Sequence, residues 1–452
     1  MENREQYKRL IMFFASALIL LVQVVIFYYI WHRYYNYRSV IGALYWRRGN
    51  WALMGVYAFI NFFFSKIFGA YKVGYLKVSD VIASQILAVL CCNGVTYMQL
   101  ALIGRWRFSA YLEPIMQMTL YDVVAVIAWV IFMRWIYAKI YPPRQMLLVY
   151  GDINPKALIQ KMTSRTDKYS IVDMINISEG YDAVIERISH YEAIVIGDIP
   201  SVYRNKFLKY CYANSIRCYS IPKISDIMIK SSTTINLFDT ELMLFRNRGL
   251  TAEQRLLKRA SDIVFSPILL LVAVLIKLYD GGPVFYKQER LTYNHKVFMI
   301  YKFRSMRVDS EKTGAQLAKK NDDRITPVGH VIRSLHIDEL PQLFNILKGD
   351  MAFVVPRPER PEIAELYKKS IPEFDFRLKM KAGLTGYAQV FGKYSTTPYD
   401  KLKLDLTYIE NYTFALDLMI IIQTVKILFQ KENSEGLDTG QKTALRTEDK
   451  KN

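Results

Sequence analysis

Leu10–Ile30 runs for 21 residues without a charged side chain, enough for a helix to cross a bilayer core of ~30 Å. In lipid, every backbone N–H and C=O of such a stretch must find its partner internally, so a single segment has only the helix open to it. The run is too long for a signal-peptide core and no small-residue cleavage site follows it, so it is expected to stay as an anchor. Trp51–Ser65, Val81–Gly104 and Ile115–Met133 repeat the pattern. The shortest of these ends at Lys66, whose stem can snorkel if the helix runs on. Tyr28, Trp31, Trp51, Trp106 and Trp135 sit at segment edges, as interface aromatics do. Residues 1–145 therefore read as a four-helix transmembrane region. Basic residues flank both ends of the first span (Lys8 and Arg9, then Arg33 and Arg38), so charge alone leaves the orientation open. The spans carry almost no ionisable residue, which speaks against a transporter.

The net charge is +19, with the excess mostly beside the apolar segments. That placement suits anionic headgroups and phosphates, and no nucleic-acid motif accompanies it. Cys91, Cys92, Cys211 and Cys218 show no metal-binding spacing and read as buried small apolar residues in a reducing compartment.

From Met146 the pattern changes. Short β-type runs at Met146–Tyr150, Ser170–Ile175, Ala193–Gly197 and Arg217–Ile221 alternate with helical stretches near Pro155–Met162, Tyr181–Ser189 and Val202–Ala213. Such alternation predicts a small parallel α/β, Rossmann-like domain over 146–250. A lone Gly151 follows the first strand without a G-x-G-x-x-G, which gives a dinucleotide site little support. Residues 222–255 read as a linker with a few short elements. Ile263–Tyr279 is a fifth apolar stretch of 17 residues broken early by Ser266-Pro267. Proline removes a backbone donor and kinks a helix, so this segment is expected to enter one leaflet and return. Residues 251–431 form the third domain, and the polar tail 432–452 reads as disordered.

The chemistry is concentrated in that third domain. Asp338-Glu339 opens a predicted helix, Asp338–Leu347, with Asp338 as N-cap, Pro341 in the first turn and Gly349 as stop. A helix N-terminus keeps a carboxylate ionised and draws phosphate toward it. An ionised aspartate can attack phosphorus to form an aspartyl phosphate. Its substrate would be anionic, so cations must surround the acid. Lys302, Arg304, Arg333 and Arg357 are placed to do so, and Pro356 and Pro358 stiffen the loop that carries Arg357. The fitting metal is Mg²⁺, held by the carboxylates of Asp338 and Glu339 with substrate phosphates. A bland reading stays open: the acid pair only caps a helix, Arg357 only pairs with Glu359 or Glu362, and the chain is a non-catalytic membrane scaffold or sensor whose α/β segment binds a nucleotide.

Over roughly Leu256–Phe429 the chain resembles the bacterial polyprenyl-phosphate hexose-1-phosphate transferases. The matching pieces come in order: Lys258-Arg259-Ala260-Ser261-Asp262, Ser266-Pro267, Gly282-Pro283-Val284-Phe285, Gln288-Glu289-Arg290 and Lys302-Phe303-Arg304-Ser305-Met306. They continue with Asp322-Asp323-Arg324, Asp338-Glu339-Leu340-Pro341-Gln342-Leu343, Pro356-Arg357-Pro358-Glu359 and Gly383-Leu384-Thr385-Gly386. The resemblance implies a membrane-seated α/β catalytic domain with a re-entrant helix broken at Ser266-Pro267, on the cytoplasmic side of a bacterial inner membrane. It implies Asp338 as nucleophile, Glu339 as acid/base or metal partner, and Lys302, Arg304, Arg333, Gln342 and Arg357 as phosphate binders. The implied reaction moves a hexose 1-phosphate from a UDP-hexose to undecaprenyl phosphate, with Mg²⁺, and releases UMP. That would initiate exopolysaccharide, capsule or O-antigen synthesis. Membrane lipids are implied partners and a homodimer is compatible with all of this. Thr292, Ala352, Val355 and His336 depart from the usual pattern while every charged position is kept.

Overall fold

The computed structural model describes residues 7–36, 47–103, 109–152, 155–245, 249–264, 285–303, 305, 325, 329, 333, 337–392 and 396–428. The chain divides into two compact units, Met1–Ile221 and Pro222–Asn452.

The first unit opens with four helices: α1 Lys8–Ile30, prolonged by a π-helical turn Trp31–Asn36, then α2 Arg47–Ile67, α3 Val78–Ile103 and α4 Ser109–Ile140. Lys8–Tyr35, Val78–Ile103 and Leu112–Ile140 are long and apolar enough to cross a membrane. The 21-residue α2 is not among them, because Asn50, Asn61 and Lys66 dilute its apolar face. All four helices share one core, with Phe27, Ile30, Tyr57, Cys92, Leu100 and Met118 buried together. Phe13, Leu21, Phe59, Met98 and Leu120 point outward and are exposed. Against the expectation of almost no ionisable group in the spans, Asp122 is fully buried in the bundle. Its Oδ2 accepts from the Tyr57 hydroxyl at 3.3 Å and from Asn93 Nδ2 at 3.1 Å. Three helices are thereby joined by polar bonds in an apolar setting, as interhelical hydrogen bonds join membrane helices.

After the helices comes a four-stranded parallel sheet: β1 Arg144–Tyr150, β2 Tyr169–Asn176, β3 Ala193–Ile196 and β4 Arg217–Ser220, in the order β2-β1-β3-β4. The crossovers are α5 Lys156–Thr163, α6 Tyr181–Ile188 and α7 Ser201–Ala213. Side chains alternate across a strand, and the two faces are filled accordingly. Leu147, Val149, Ile194 and Ile196 pack with Val184, Ile188 and Phe207 from α6 and α7. Met146, Leu148, Ala193 and Val195 face α5 through Leu158, Ile159 and Met162.

In the second unit, α8 Ile224–Ser231 lies inside the stretch read as a linker, yet it buries Ile224 and Ile227 in the core of this unit. An exposed hairpin follows, β5 Thr233–Leu237 and β6 Thr240–Leu244. The residues 252–264 are helical; Ser266, Pro267 and the expected re-entrant turn lie outside the described residues, as does the tail after 428. A second antiparallel pair, β7 Phe285–Leu291 and β8 Val297–Phe303, packs beside α9 Gln342–Lys348. Then come β9 Met351–Val354, α10 Pro361–Ser370, β10 Ala382–Thr385, α11 Tyr387–Phe391, α12 Pro398–Glu410 and α13 Phe414–Leu428. β9 and β10 form a parallel pair. Leu343, Ile346, Met351, Val354, Leu402 and Ile420 lie at the centre of one core built from these elements.

The motif at 258–262 is structural. Lys258 Nζ pairs with Asp417 Oδ2 at 2.7 Å, and Arg259 donates to the Ile346 and Leu347 carbonyls at the end of α9. Asp262 accepts the Phe353 N–H at 2.7 Å. Together they fasten helix 252–264 to α9, β9 and α13. Gly383 and Gly386 are equally determined: a Cβ at either would collide with the Val355 carbonyl. Only glycine lets β10 approach the strand end from which Pro356-Arg357-Pro358 departs. Thr292 has an extended backbone that needs no glycine, and its hydroxyl bridges the Asp350 carbonyl and the Ala382 N–H.

Candidate active site

Three short pieces of chain meet here. Lys302 is the penultimate residue of β8, the acid pair lies in a 3₁₀ turn at Ile337–Glu339, and Arg357 follows β9. Asn345 holds the first two together. It is wholly buried on α9; its Oδ1 accepts the Tyr301 N–H at 3.0 Å and its Nδ2 donates to the Met299 carbonyl at 2.8 Å. The side-chain amide thus serves as a backbone partner for the edge of β8 not paired with β7, and it leaves Lys302 facing the acid turn.

The helix starts later than expected. Pro341 is its N-cap, with φ −61°, and α9 begins at Gln342; a proline has no N–H for the carbonyl of residue 337, so the ladder starts after it. Asp338 is therefore not the N-cap of α9. Burial first, and then the Glu339 charge, push the Asp338 carboxyl above its ordinary value against the pull of Lys302, Arg333 and Arg357. Gly349 ends the helix in the left-handed conformation, φ +93°, as expected.

Glu339 is the most heavily bonded acid of the site. Arg357 Nη1 donates to its Oε2 at 2.8 Å, Arg357 Nη2 to its Oε1, and Lys302 Nζ to Oε1 at 3.1 Å. Burial opposes its charge, yet Arg357 and Lys302 hold the carboxyl well below the usual range. The partner of Arg357 is thus Glu339 and not Glu359. Glu359 is claimed instead by Lys401 and Arg377; burial alone would raise its carboxyl, but those cations hold it at about 2. Arg377 also pairs with Asp405 at 2.8 Å and donates to the Arg357 carbonyl at 2.8 Å. The Arg357 loop is consequently clamped from both sides, by this buried pair and by the Gly383 N–H on the Pro356 carbonyl.

Of the residues singled out by sequence, Asp338, Glu339, Lys302, Arg333, Gln342 and Arg357 come together; Arg304 lies outside the described residues. Arg290, Asn345, Arg377 and Asp405 escaped the sequence reading. Arg290 lines a small cavity with Ile300, Lys302, Gln342, Arg357 and Pro358, and burial lowers its guanidinium to about 10, still charged at neutral pH. Its place within Gln288-Glu289-Arg290 was the available signal. Among the described residues no group of three or more His, Cys, Asp or Glu could hold a metal. Asp338 Oδ1, however, is buried with no partner among the described residues. One or two carboxylates suit a cation that takes the rest of its shell from phosphates and water.

A family model described as bacterial sugar transferase matches residues 253–431. The chain is 33% identical over 320 residues to UDP-N-acetylgalactosamine-undecaprenyl-phosphate N-acetylgalactosaminephosphotransferase of Aeromonas hydrophila, covering 68% of this chain and 72% of the relative. It is 34% identical to undecaprenyl-phosphate galactose phosphotransferase of Salmonella typhimurium, over 47% of this chain and 49% of that one. It is 37% identical to UDP-glucose:undecaprenyl-phosphate glucose-1-phosphate transferase of Caulobacter vibrioides, over 39% and 71%.

Replacing Asn345 tests how the site is held. Asn345→Ala orphans the Tyr301 N–H and the Met299 C=O, at about 1–3 kcal/mol for each buried group. A lower melting temperature together with roughly tenfold slower turnover is expected. Normal values of both would show that β8 needs no such partner.

Proposed function

The chain belongs to the bacterial sugar transferase family, and we propose that it transfers a hexose 1-phosphate from a UDP-hexose to undecaprenyl phosphate. The observation that carries the mechanism is the Asp338 Oδ1, buried without a partner among the described residues and beside a carboxylate already neutralised by Lys302 and Arg357. Asp338 attacks the phosphorus that bears the hexose. The bond between the two phosphates breaks, UMP leaves with the electron pair, and the hexose phosphate stays on Asp338 as an acyl phosphate. A phosphate oxygen of undecaprenyl phosphate then attacks the same phosphorus, and Asp338 leaves as carboxylate. The hexose–oxygen bond is untouched throughout. Lys302, Arg333 and Arg357 offset the charge that gathers as anion meets anion. Asp338 could give its Oδ1 to a divalent cation such as Mg²⁺, with Glu339 joining only once its oxygens are released from Arg357 and Lys302; the cation would supply charge neutralisation on the diphosphate. The relatives named as phosphotransferases favour this reading over the scaffold alternative.

The membrane arrangement is also our reading. α1 to α4 form a four-span bundle in a bacterial inner membrane, and residues 146–221, a shorter stretch than the 146–250 expected because α8 packs into the second unit, are a Rossmann-like domain whose sheet order reverses between β1 and β3, the usual ligand crevice of such sheets. The segment 263–279 enters one leaflet and returns, which keeps residues 251–431 on the cytoplasmic side. The hexose and the polysaccharide remain at the level of class.

Two measurements bear on these proposals. Asp338→Asn should insert and fold yet lose transfer by several orders of magnitude, as catalytic nucleophiles do; turnover above about a tenth of wild type would remove Asp338 from that role. Single cysteines near 250 and 310 should label from the same face of sealed vesicles, and labelling from opposite faces would make 263–279 a span.

A further inference from the structure

Glu339 sits where an anion is wanted. Arg357 presents both terminal nitrogens to it in the forked geometry that arginine also uses for phosphate, and Lys302 adds a third donor. The cavity alongside is lined by Arg290, Lys302, Gln342 and Arg357. Three of these are cations, and Glu339 is bonded to two of them. Two further N–H groups in the same lining, Arg290 Nε and Gln342 Nε2, are buried with no acceptor among the described residues. Gln342 is only 1% exposed, so water from the surface does not readily serve it. Buried donors are normally paired; here they are left idle beside a carboxylate that cannot reach them all. A phosphate, with more oxygens and more charge, could satisfy the set.

Resting on the reading above, we infer that Glu339 is a resident stand-in for a substrate phosphate. It keeps Lys302 and Arg357 in position while the site is empty, and an arriving phosphate of the UDP moiety displaces it from Arg357. The incoming oxygens are then shared among Arg357, Lys302, Arg290 Nε and Gln342 Nε2. The arrangement avoids leaving three cations facing one another in a partly buried cavity, where like charges repel strongly. It also lowers affinity, because the ligand must compete with an internal anion: apparent affinity falls with the fraction of molecules whose arginine is free. Removing the internal anion should therefore strengthen binding of a bare diphosphate, the opposite of what loss of an ordinary binding residue does.

The test is calorimetric binding of UDP, and separately of inorganic pyrophosphate, to the full chain in detergent with EDTA present. Glu339→Gln keeps the shape but not the charge, and it should bind UDP about tenfold more tightly than wild type. Gln342→Ala should bind it more weakly. Where the wild type binds UDP, equal or weaker UDP binding by a folded Glu339→Gln overturns the proposal. Tighter pyrophosphate binding by Glu339→Gln with no UDP binding to either protein upholds the stand-in and overturns the UDP-hexose reading. No binding of either anion to either protein overturns both. A structure of the wild-type protein with UDP bypasses the variant altogether. Phosphate oxygens on Arg357 with Glu339 released support the inference; intact Glu339–Arg357 bonds with the diphosphate elsewhere refute it.

Discussion

The catalytic unit is organised around one carboxylate. Glu339 accepts from Lys302 of β8 and from Arg357 of the loop after β9, so three segments that are distant in sequence are tied at a single point. A partly buried ion cluster of this kind is stable only when each charge is answered. Removing any member leaves the others uncompensated in a low-dielectric setting, which makes the cluster sensitive to single changes. The rest of the unit works to hold its members at the right distance. Asn345 fixes β8 against α9, Arg377 and Asp405 hold the Arg357 backbone, and Gly383 in β10 with Gly386 just after it lets that segment close against Val355. Asp338 is the consequence: a carboxyl placed among cations, its Oδ1 without a bonded partner among the described residues.

The motifs of the family divide in the same way. Lys258, Arg259 and Asp262 are fasteners between a helix and the core. Gly383 and Gly386 answer to steric approach and not to chemistry. Departures from the usual pattern are absorbed where packing allows: Ala352 and Val355 are buried in the core, and Thr292 supplies two bonds of its own. None of these changes touches a charged atom of the site.

Much of this was legible in one dimension. Strands β1 to β4 fall within a residue or two of their expected limits, because short β-branched runs alternating with helical stretches leave few other arrangements. Gly349 marked its helix end correctly for a local reason, the need for a left-handed residue. What escaped depends on contacts across the chain. A helix starting at Asp338 was reasonable on capping preference, but Pro341 delays it to Gln342. Asn345 resembles any polar residue on a helix until β8 lies against it. Asp122 was passed over inside an apolar run, since nothing local tells that Tyr57 and Asn93 come to meet it. Ile224 and Ile227 looked like linker because a two-turn helix carries little periodic signal of its own.

The central claim is that Asp338 becomes covalently bonded to the hexose phosphate. It can be tested by mixing the purified protein with a radiolabelled UDP-hexose in the absence of undecaprenyl phosphate, quenching, and mapping the label by peptide mass spectrometry. The account predicts a burst of UMP near one equivalent per active site, a hexose-phosphate adduct on the peptide containing Asp338, and loss of the adduct when undecaprenyl phosphate is added. UMP released only when the lipid is present, or an adduct on a peptide lacking Asp338, would contradict it.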